Sequence, residues 1–240
     1  MFYSLVRFFS GRVFHRTIRL RLDLAQSERE GGYVLACTHA SHLDPFCVSV
    51  VLKRHVRWMA RVEFYRSWWS TRLLKEVGAF PVNRQGVPVS AVKTAIRLAQ
   101  AGEVVGIFPE GEIKRDAESV LRGGRIKRGV CLVSMRSGKP VIPCVVLGSE
   151  ALLRPMVWRM SKPCRLWVVC GEPIHPPHTG NRREDRRIMA GQIEQAMRSL
   201  AEGMRRRPEW VKGASGQPLA ARPASLEKAC TGLTGERRAG

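Results

Sequence analysis

The sequence of 240 residues lacks any uninterrupted apolar run of about 18 residues, the length that a membrane-spanning helix requires. We therefore expect no spanning helix. The first residues also lack the apolar core and the small-residue cleavage site of a signal peptide, so we expect no such leader.

Patterns of metal-binding or disulfide-linked proteins are missing as well. The seven cysteines form no Cys-x-x-Cys pair and are odd in number, which is typical of reduced, buried thiols in a cytosolic protein. His39, His42 and Asp44 lie close together in the chain, but no second group of ligand residues stands at a useful spacing. We expect neither a metal nor a bound cofactor.

Acidic residues are scarce, since 20 Asp plus Glu stand against 41 Lys plus Arg, for a net charge of +21. Such an excess predicts a polyanionic partner: nucleic acid, an anionic membrane surface or phosphorylated substrates. No zinc-finger, RRM-like or glycine-clamp motif is present, so a basic nucleic-acid-binding protein is only a distant alternative.

The chain divides into three regions by composition. Residues 1–28 interleave aromatic and arginine side chains, which predicts an amphipathic helical segment in the bilayer interface; a basic helix packed on the domain is the alternative. Residues 29–205 form the expected domain. Residues 206–240 are rich in Gly, Ala, Pro and Arg without periodicity and are predicted to be a disordered basic tail.

Within the domain, apolar β-rich runs alternate with helix-like segments. Strands are expected at 33–38, 55–60, 79–82, 103–109, 140–148 and 164–174, and helices at 45–54, 89–102, 127–138 and 182–205. This alternation predicts an α/β fold with a mostly parallel central sheet flanked by helices. The proline at 143 suggests that its strand lies at an edge or is bulged.

The stretch CTHASHLDPF, residues 37–46, places His39 on a turn between a strand and a helix start. Either Asp44 is the N-cap, or Ser41 caps and Asp44 closes a capping box. Ligands bind at such turns in open α/β sheets. A carboxylate that meets His39 across the turn would fix the imidazole tautomer, and the pair could take a proton from an alcohol. Alternatively, Asp44 is only a cap and the histidines are polar turn residues.

Three more stretches follow in order: GAFPVNR at 78–84, FPEG at 108–111 and VIP at 141–143. Together with His39-x4-Asp44 they resemble the four ordered blocks of the glycerolipid acyltransferase family. The resemblance covers roughly residues 30 to 175. It implies transfer of a fatty acyl group from acyl-CoA or acyl-carrier protein to the hydroxyl of 1-acylglycerol-3-phosphate, giving phosphatidic acid for phospholipid biosynthesis. Another lysophospholipid or a non-glycerol lipid is the alternative acceptor.

The resemblance also implies roles for the matching residues. His39 matches the general base and Asp44 the carboxylate that orients it. The residues that match acceptor binding are Arg84, Glu110 and Gly111, and those on the acyl-donor side or of structural importance are Gly78, Phe80, Val141, Ile142 and Pro143.

Two positions depart from the family pattern. The third block often continues Thr-Arg, whereas this chain has Glu112 and Ile113, so either the acceptor head group differs or a nearby cation supplies the missing charge. The nearby cations are Lys114, Arg115, Lys127 and Arg128. The first block usually has Asn before its histidine, and Thr38 stands there instead.

We expect the protein to attach peripherally or monotopically to the cytoplasmic face of the cell membrane. The expected partners are a lysophospholipid, acyl-CoA or the acidic acyl-carrier protein, and an anionic membrane surface, with no nucleic acid. Besides the N-terminal segment, the aromatic residues Phe64, Tyr65, Trp68 and Trp69 offer a second interfacial face, for which core packing is the alternative.

Overall fold

A seven-stranded sheet forms the centre of the computed structural model, which describes residues 18–23, 30–76, 78–82, 89–114, 118–150 and 164–207. The strands are β1 Ile18–Asp23, β2 Tyr33–Cys37, β3 Val56–Arg61, β4 Phe80–Val82, β5 Val104–Ile107, β6 Val141–Leu147 and β7 Cys164–Cys170. The helices are α1 Asp44–Val51, α2 Trp68–Glu76, α3 Val89–Gln100, α4 Gly129–Ser137 and α5 Arg182–Arg206, with 3₁₀ helices at Val62–Tyr65 and Val120–Arg122.

The strand order is β1-β7-β6-β2-β5-β3-β4, and every neighbouring pair is parallel except β6 and β7. The mostly parallel α/β fold is therefore confirmed. Because β6, β2, β5, β3 and β4 run in one direction, their carboxyl ends share one edge of the sheet. The turns after β2 and β5, which carry two of the four sequence blocks, meet at this edge.

The core lies on both faces of the sheet. Alternate residues of β2, beginning with Tyr33, pack with Cys47, Val48 and Leu52 around α1 on one face. On α3 the buried residues are Ala91, Ala95 and Ala99, and their spacing of four forms one stripe on that helix. Five cysteines, at positions 37, 47, 131, 144 and 170, are buried thiols that form no disulfide, as predicted.

The start of the domain differs from the prediction. Residues 18–23, which the sequence placed in an N-terminal helical segment, form a strand that pairs in parallel with β7. These residues favour a strand because their apolar side chains recur with a period of two: Ile18, Leu20 and Leu22 alternate with arginines. Residues 1–17 and 208–240 lie outside the described residues. The chain from Glu202 separates as a second unit, in which residues 202–206 complete α5.

The proline at 143 does not mark an edge strand, because β6 lies between β2 and β7. Its carbonyl accepts a hydrogen bond of 2.8 Å from the amide of Gly171, one residue beyond β7. The next pairing along β6 is the antiparallel bridge of Val141 with Ile174, which is one residue out of register with the ladder to β7. The missing donor of Pro143 therefore lies at a bulge, the other alternative of the prediction.

Within the described residues, no helix combines the length and the hydropathy needed to cross a membrane.

Gly106 in β5 provides space for the indole ring of Trp58 on the neighbouring β3. A Cβ atom at Gly106 would lie 2.4 Å from Trp58 Cε3 and 2.7 Å from Val56 Cγ1. Trp58 is 3% exposed, and its Nε1 donates a hydrogen bond of 2.8 Å to Ser49 Oγ. The ring cannot move aside without losing this bond.

We predict that Gly106→Ala lowers the free energy of unfolding by about 1–3 kcal/mol, because the added methyl group overpacks the core. The matched control is Gly191→Ala on α5, where a Cβ atom meets nothing within 4 Å. This control should raise the free energy of unfolding by about 0.5–1 kcal/mol, since alanine is the better helix former. Urea denaturation measures both, and equal effects would contradict the packing argument.

Candidate active site

The turn after β2 is built around the Asp44 side chain. Asp44 Oδ2 accepts hydrogen bonds of 2.8 Å from the amides of Ala40 and Ser41, and Ser41 Oγ accepts one of 3.2 Å from the Leu43 amide. Asp44 thus binds back to the Ser41 amide as in a capping box, but Ser41 Oγ binds the amide of Leu43 rather than that of Asp44, and α1 begins only at Asp44. Asp44 is therefore not the N-cap, a position that Leu43 occupies.

The same carboxylate oxygen binds the imidazole of His39, with Nδ1 and Oδ2 3.0 Å apart. The Asp44 side chain is completely buried, and the His39 side chain is 14% exposed. Because an ionised carboxylate only accepts hydrogen bonds, His39 Nδ1 carries the proton and Nε2 keeps its lone pair. The turn thus brings the two predicted catalytic residues together, and Asp44 acts as more than a cap.

Two aromatic rings fix the plane of the imidazole. The His39 ring stacks on Phe108, with centroids 4.0 Å apart and planes at 23°. Phe108 in turn stacks on Trp58 at 4.8 Å and 12°. The hydrogen bond to Asp44 sets the rotation of the ring within its plane, and the stack prevents the ring from tilting. No motif of the sequence indicated a role for Trp58.

Glu110 holds the His39 turn from the side of β5. Its Oε2 accepts a hydrogen bond of 3.3 Å from the His39 amide, and its Oε1 accepts bonds from the Val120 amide at 2.7 Å and Ser119 Oγ at 3.1 Å. Burial raises the pKa of Glu110, while these donors act in the opposite direction. Both oxygens bind groups of the protein itself, so Glu110 ties the His39 turn to Ser119 and Val120. The acceptor-binding role that the resemblance implies stays a prediction.

Thr38, which stands where the family usually has Asn, ties the same turn to β6. Its Oγ1 accepts a hydrogen bond of 2.9 Å from the Val146 amide, and its own amide donates to the Cys144 carbonyl at 3.1 Å. The side chain is buried. Thr38 therefore anchors the backbone immediately before His39.

The cations proposed near the third block are differently placed. Gly111, with φ of +80°, has the Lys127 side chain against it, so that a Cβ atom would lie 2.5 Å from Lys127 Nζ. Lys114 Nζ lies 2.8 Å from Glu118 Oε2 and 3.0 Å from Glu112 Oε1, and these contacts raise the pKa of Lys114. Its charge is thus engaged by two carboxylates. Arg84 and Arg115 lie outside the described residues.

A cavity of about 900 Å³ opens beside His39. Its walls are mainly apolar and come from α1, β3, the segment 62–67, α2 and the turn after β5. The lining residues are His39, His42, Leu43, Pro45, Phe46, Ser49, Trp58, Met59, Ala60, Arg61, Glu63, Phe64, Arg66, Ser67, Ser70, Leu74, Ala79, Phe108, Glu112 and Ile113. The volume and apolar character suit a long hydrocarbon ligand with a polar end.

Sequence reasoning missed most of these walls, including the cations Arg61 and Arg66. Their segment belongs to none of the four blocks, and the one available signal was its position after β3, at the same edge of the sheet as His39. Ile113, in the place of the family arginine, lines the cavity as an apolar residue.

The remaining predicted residues are not among those that line the cavity, and the structure shows their part in the fold. Gly78, with φ of +72°, follows the end of α2. Its amide donates a hydrogen bond to the carbonyl of Lys75, and the amide of Ala79 donates one to the carbonyl of Leu74. Phe80 pairs with Met59 between β4 and β3. The residues of the fourth block, Val141, Ile142 and Pro143, pair with Val34, Leu35 and Ala36 of β2.

Comparison with known proteins agrees with this geometry. The family model described as Acyltransferase matches residues 20–147, more than half of the chain. The 1-acyl-sn-glycerol-3-phosphate acyltransferase of Bacillus subtilis (strain 168) is 32% identical over 147 residues, which cover 61% of this chain and 68% of that protein.

The fold is also that of a solved relative. The crystal structure of the 1-acyl-sn-glycerophosphate (LPA) acyltransferase PlsC from Thermotoga maritima superimposes with a TM-score of 0.62, at 18% identity, over 85% of this chain and 80% of that one. The match to the family model and the identity to the Bacillus enzyme show that the chain belongs to the acyltransferase family, as its four sequence blocks predicted.

Proposed function

We propose that this acyltransferase moves a fatty acyl group from acyl-CoA or acyl-carrier protein to the free hydroxyl of 1-acylglycerol-3-phosphate, which gives phosphatidic acid. The observation that carries the proposal is the His39–Asp44 pair at the wall of a large apolar cavity. The name of the Bacillus relative supports the choice of acceptor.

In the proposed mechanism the acceptor oxygen is itself the nucleophile. His39 Nε2 removes the hydroxyl proton as the oxygen attacks the thioester carbonyl carbon, and Asp44 stabilises the imidazolium that forms. The tetrahedral intermediate then expels the thiolate, which receives the proton from the imidazolium. General-base assistance of this kind accelerates a reaction by about 10²–10⁴-fold. The reaction needs no metal or bound cofactor.

The apolar walls of the cavity would hold an acyl chain. Each CH₂ group removed from water contributes about 0.8 kcal/mol, so a long chain supplies most of the binding energy. Phe46, Met59, Phe64 and Leu74 offer the required surface. The polar end of the bound lipid would then lie near His39.

The acceptor phosphate requires cations, and Arg84 is our main candidate. Val82 at the end of β4 pairs with Arg61 at the end of β3, and Arg61 lines the cavity. The chain therefore leaves the sheet beside the cavity two residues before Arg84. A guanidinium binds a phosphate with two parallel hydrogen bonds. Arg66 supplies further positive charge at the cavity, and Arg61 lies 3.6 Å from the carboxylate of Glu63.

The apolar side chain of Ile113 in the cavity favours a second candidate acceptor, another lysophospholipid or a non-glycerol lipid, because the family arginine is missing there.

We further propose peripheral attachment to the cytoplasmic face of the membrane, where lipid substrate and a cytosolic donor meet. A net charge of +21 attracts both an anionic bilayer and an acidic carrier protein. The basic and aromatic residues 1–17 would contribute to this attachment. A deletion that tests them must end before Ile18, because β1 belongs to the sheet.

We predict that His39→Ala lowers kcat by at least about 10²-fold, because the general base is lost. The circular dichroism spectrum should not change, since the ring lies at the cavity wall rather than within the core. His175→Ala, which removes an exposed histidine after β7, is the matched control and should retain full activity. A loss smaller than about tenfold in the His39 variant would be too small for a general base and would refute this role.

We predict that Glu110→Gln lowers kcat about tenfold with little change in either KM, because glutamine has only one acceptor oxygen and cannot bind the His39 amide and the Val120 amide together. Ser119→Ala removes only one donor to the same carboxylate and should act in the same direction more weakly. Steady-state kinetics with both substrates varied separates the possibilities: a rise confined to the acceptor KM would show that Glu110 binds the acceptor directly.

We predict that Arg84→Ala raises the KM for 1-acylglycerol-3-phosphate about 10–100-fold, because a charge-assisted contact to phosphate is lost. The donor KM should change much less. Arg97→Ala on the exposed face of α3 is the control for charge alone. For acceptors without the terminal phosphate, the KM should be the same in the variant and in the unmodified protein. If only the donor KM rises, Arg84 belongs to the donor site.

A further inference from the structure

Helix α2 has two faces of different character. Ser67, just before it, and Ser70 and Leu74 within it line the cavity at helical spacing. On the opposite side Trp68 and Trp69 are 64% and 73% exposed, and their rings meet edge to face with centroids 4.4 Å apart. The helix therefore forms a wall between the cavity and a surface of exposed indole rings.

Exposed apolar side chains are concentrated around this helix. Four of the five large hydrophobic residues that are exposed within the described ranges lie between positions 62 and 69. These four, Val62, Phe64, Trp68 and Trp69, are here called the tryptophan patch. Phe64 also lines the cavity, so the patch reaches its mouth. A group of apolar side chains of this kind marks an interaction surface.

Cations accompany the patch. Arg61, Arg66, Arg72 and Lys75 are exposed, and they outnumber the acidic residues of the same stretch, Glu63 and Glu76. Tryptophan is favoured where an apolar environment meets water, and lysine and arginine beside it attract anionic head groups. The combination is that of a protein surface that enters the interfacial layer of a bilayer.

We propose that the tryptophan patch is the surface by which the protein docks on an anionic bilayer, and that the lipid acceptor enters the cavity beside it. The inference rests on the proposed function, since it assumes a lipid substrate. It adds a route: a lysophospholipid moves from the membrane past Phe64 into the cavity without crossing water.

Charge complementarity favours a bilayer over two other occupants. A second copy of the chain in a symmetric contact would place the cations of the patch against their own equivalents. Residues 1–17 of the same chain contain Arg7, Arg12 and Arg16 and no acidic residue, so they would also bring like charge to the patch. Anionic lipid supplies the opposite charge together with an apolar interior.

The first test measures binding to vesicles. The variants are Trp68→Ser with Trp69→Ser, and Arg72→Gln with Lys75→Gln. Their matched controls lie on α3: Val89→Ser removes another exposed apolar residue, and Lys93→Gln with Arg97→Gln removes two exposed cations. Cosedimentation uses vesicles of mixed phosphatidylglycerol and phosphatidylcholine, and of phosphatidylcholine alone.

We expect the tryptophan double variant to lose at least about tenfold in affinity for the mixed vesicles, because two indole rings no longer leave water. The variant with Arg72→Gln and Lys75→Gln should lose affinity for the mixed vesicles only. At high salt its affinity should equal that of the unmodified protein, because salt screens the lost attraction. The α3 controls should bind as the unmodified protein does. Unchanged vesicle binding by the tryptophan double variant would overturn the proposal.

A second test separates docking from catalysis. With a short-chain acceptor held below its aggregation concentration, the tryptophan double variant should match the unmodified protein in kcat and KM. With a long-chain acceptor embedded in vesicles, its apparent KM should rise about as much as its vesicle affinity falls, at least about tenfold. If the unmodified protein acylates neither acceptor, the proposed function fails; if the variant loses activity on the soluble acceptor too, the docking inference fails.

The alternative occupants have their own signatures. If a second copy covers the patch, sedimentation velocity would show a dimer for the unmodified protein and a monomer for the tryptophan double variant. Both would then bind vesicles equally well. Deletion of residues 1–17 would abolish vesicle binding, with the tryptophan double variant binding normally, if that segment is the anchor instead. Either result would overturn the assignment of the patch to the bilayer.

Discussion

One carboxylate oxygen organises the candidate site. Asp44 Oδ2 accepts hydrogen bonds from the amides of Ala40 and Ser41 and from His39 Nδ1, all within 3.0 Å. The two hydrogen bonds from the amides shape the turn after β2 that leads into α1, and the hydrogen bond from His39 Nδ1 orients the imidazole. Because the oxygen is buried, water does not compete for these bonds. The shape of the turn and the orientation of the proposed base thus depend on the same atom.

The rest of the fold supports this turn from its two neighbouring strands. Thr38 binds β6 on one side, and the turn after β5 supplies Phe108 and Glu110 on the other. Parallel pairing of β2 with β5 and β6 makes this possible, because it brings their carboxyl ends to one edge. The sequence blocks that contain Phe108 and Pro143 therefore support the turn that carries His39, beside the cavity that we propose as the substrate site.

The regularities of the chain made part of this arrangement predictable. Alternating strands and helices indicated the sheet, and the spacing of His39 and Asp44 indicated contact across a turn. Strand order could not be read from the chain, so the sequence left both an edge and a bulge open for Pro143, and only the sheet shows that β6 is interior. The partners of Glu110 could not be foreseen either, because Ser119 and Val120 carry no motif and meet it only through the loop that follows. The strand Ile18–Asp23 had a readable period of two, but its arginines were grouped with the basic and aromatic residues before it, which favoured an interfacial helix.

The central claim is that His39 and Asp44 act as one catalytic unit, and a double-mutant cycle tests it most directly. The rate of acyl transfer to 1-acylglycerol-3-phosphate is measured for the unmodified protein, His39→Ala, Asp44→Asn and the double variant. If Asp44 acts through the imidazole, the double variant is no slower than His39→Ala, and the effects of the two substitutions are strongly non-additive. Additive losses, with Asp44→Asn slowing the His39→Ala background as much as it slows the unmodified protein, would contradict the account.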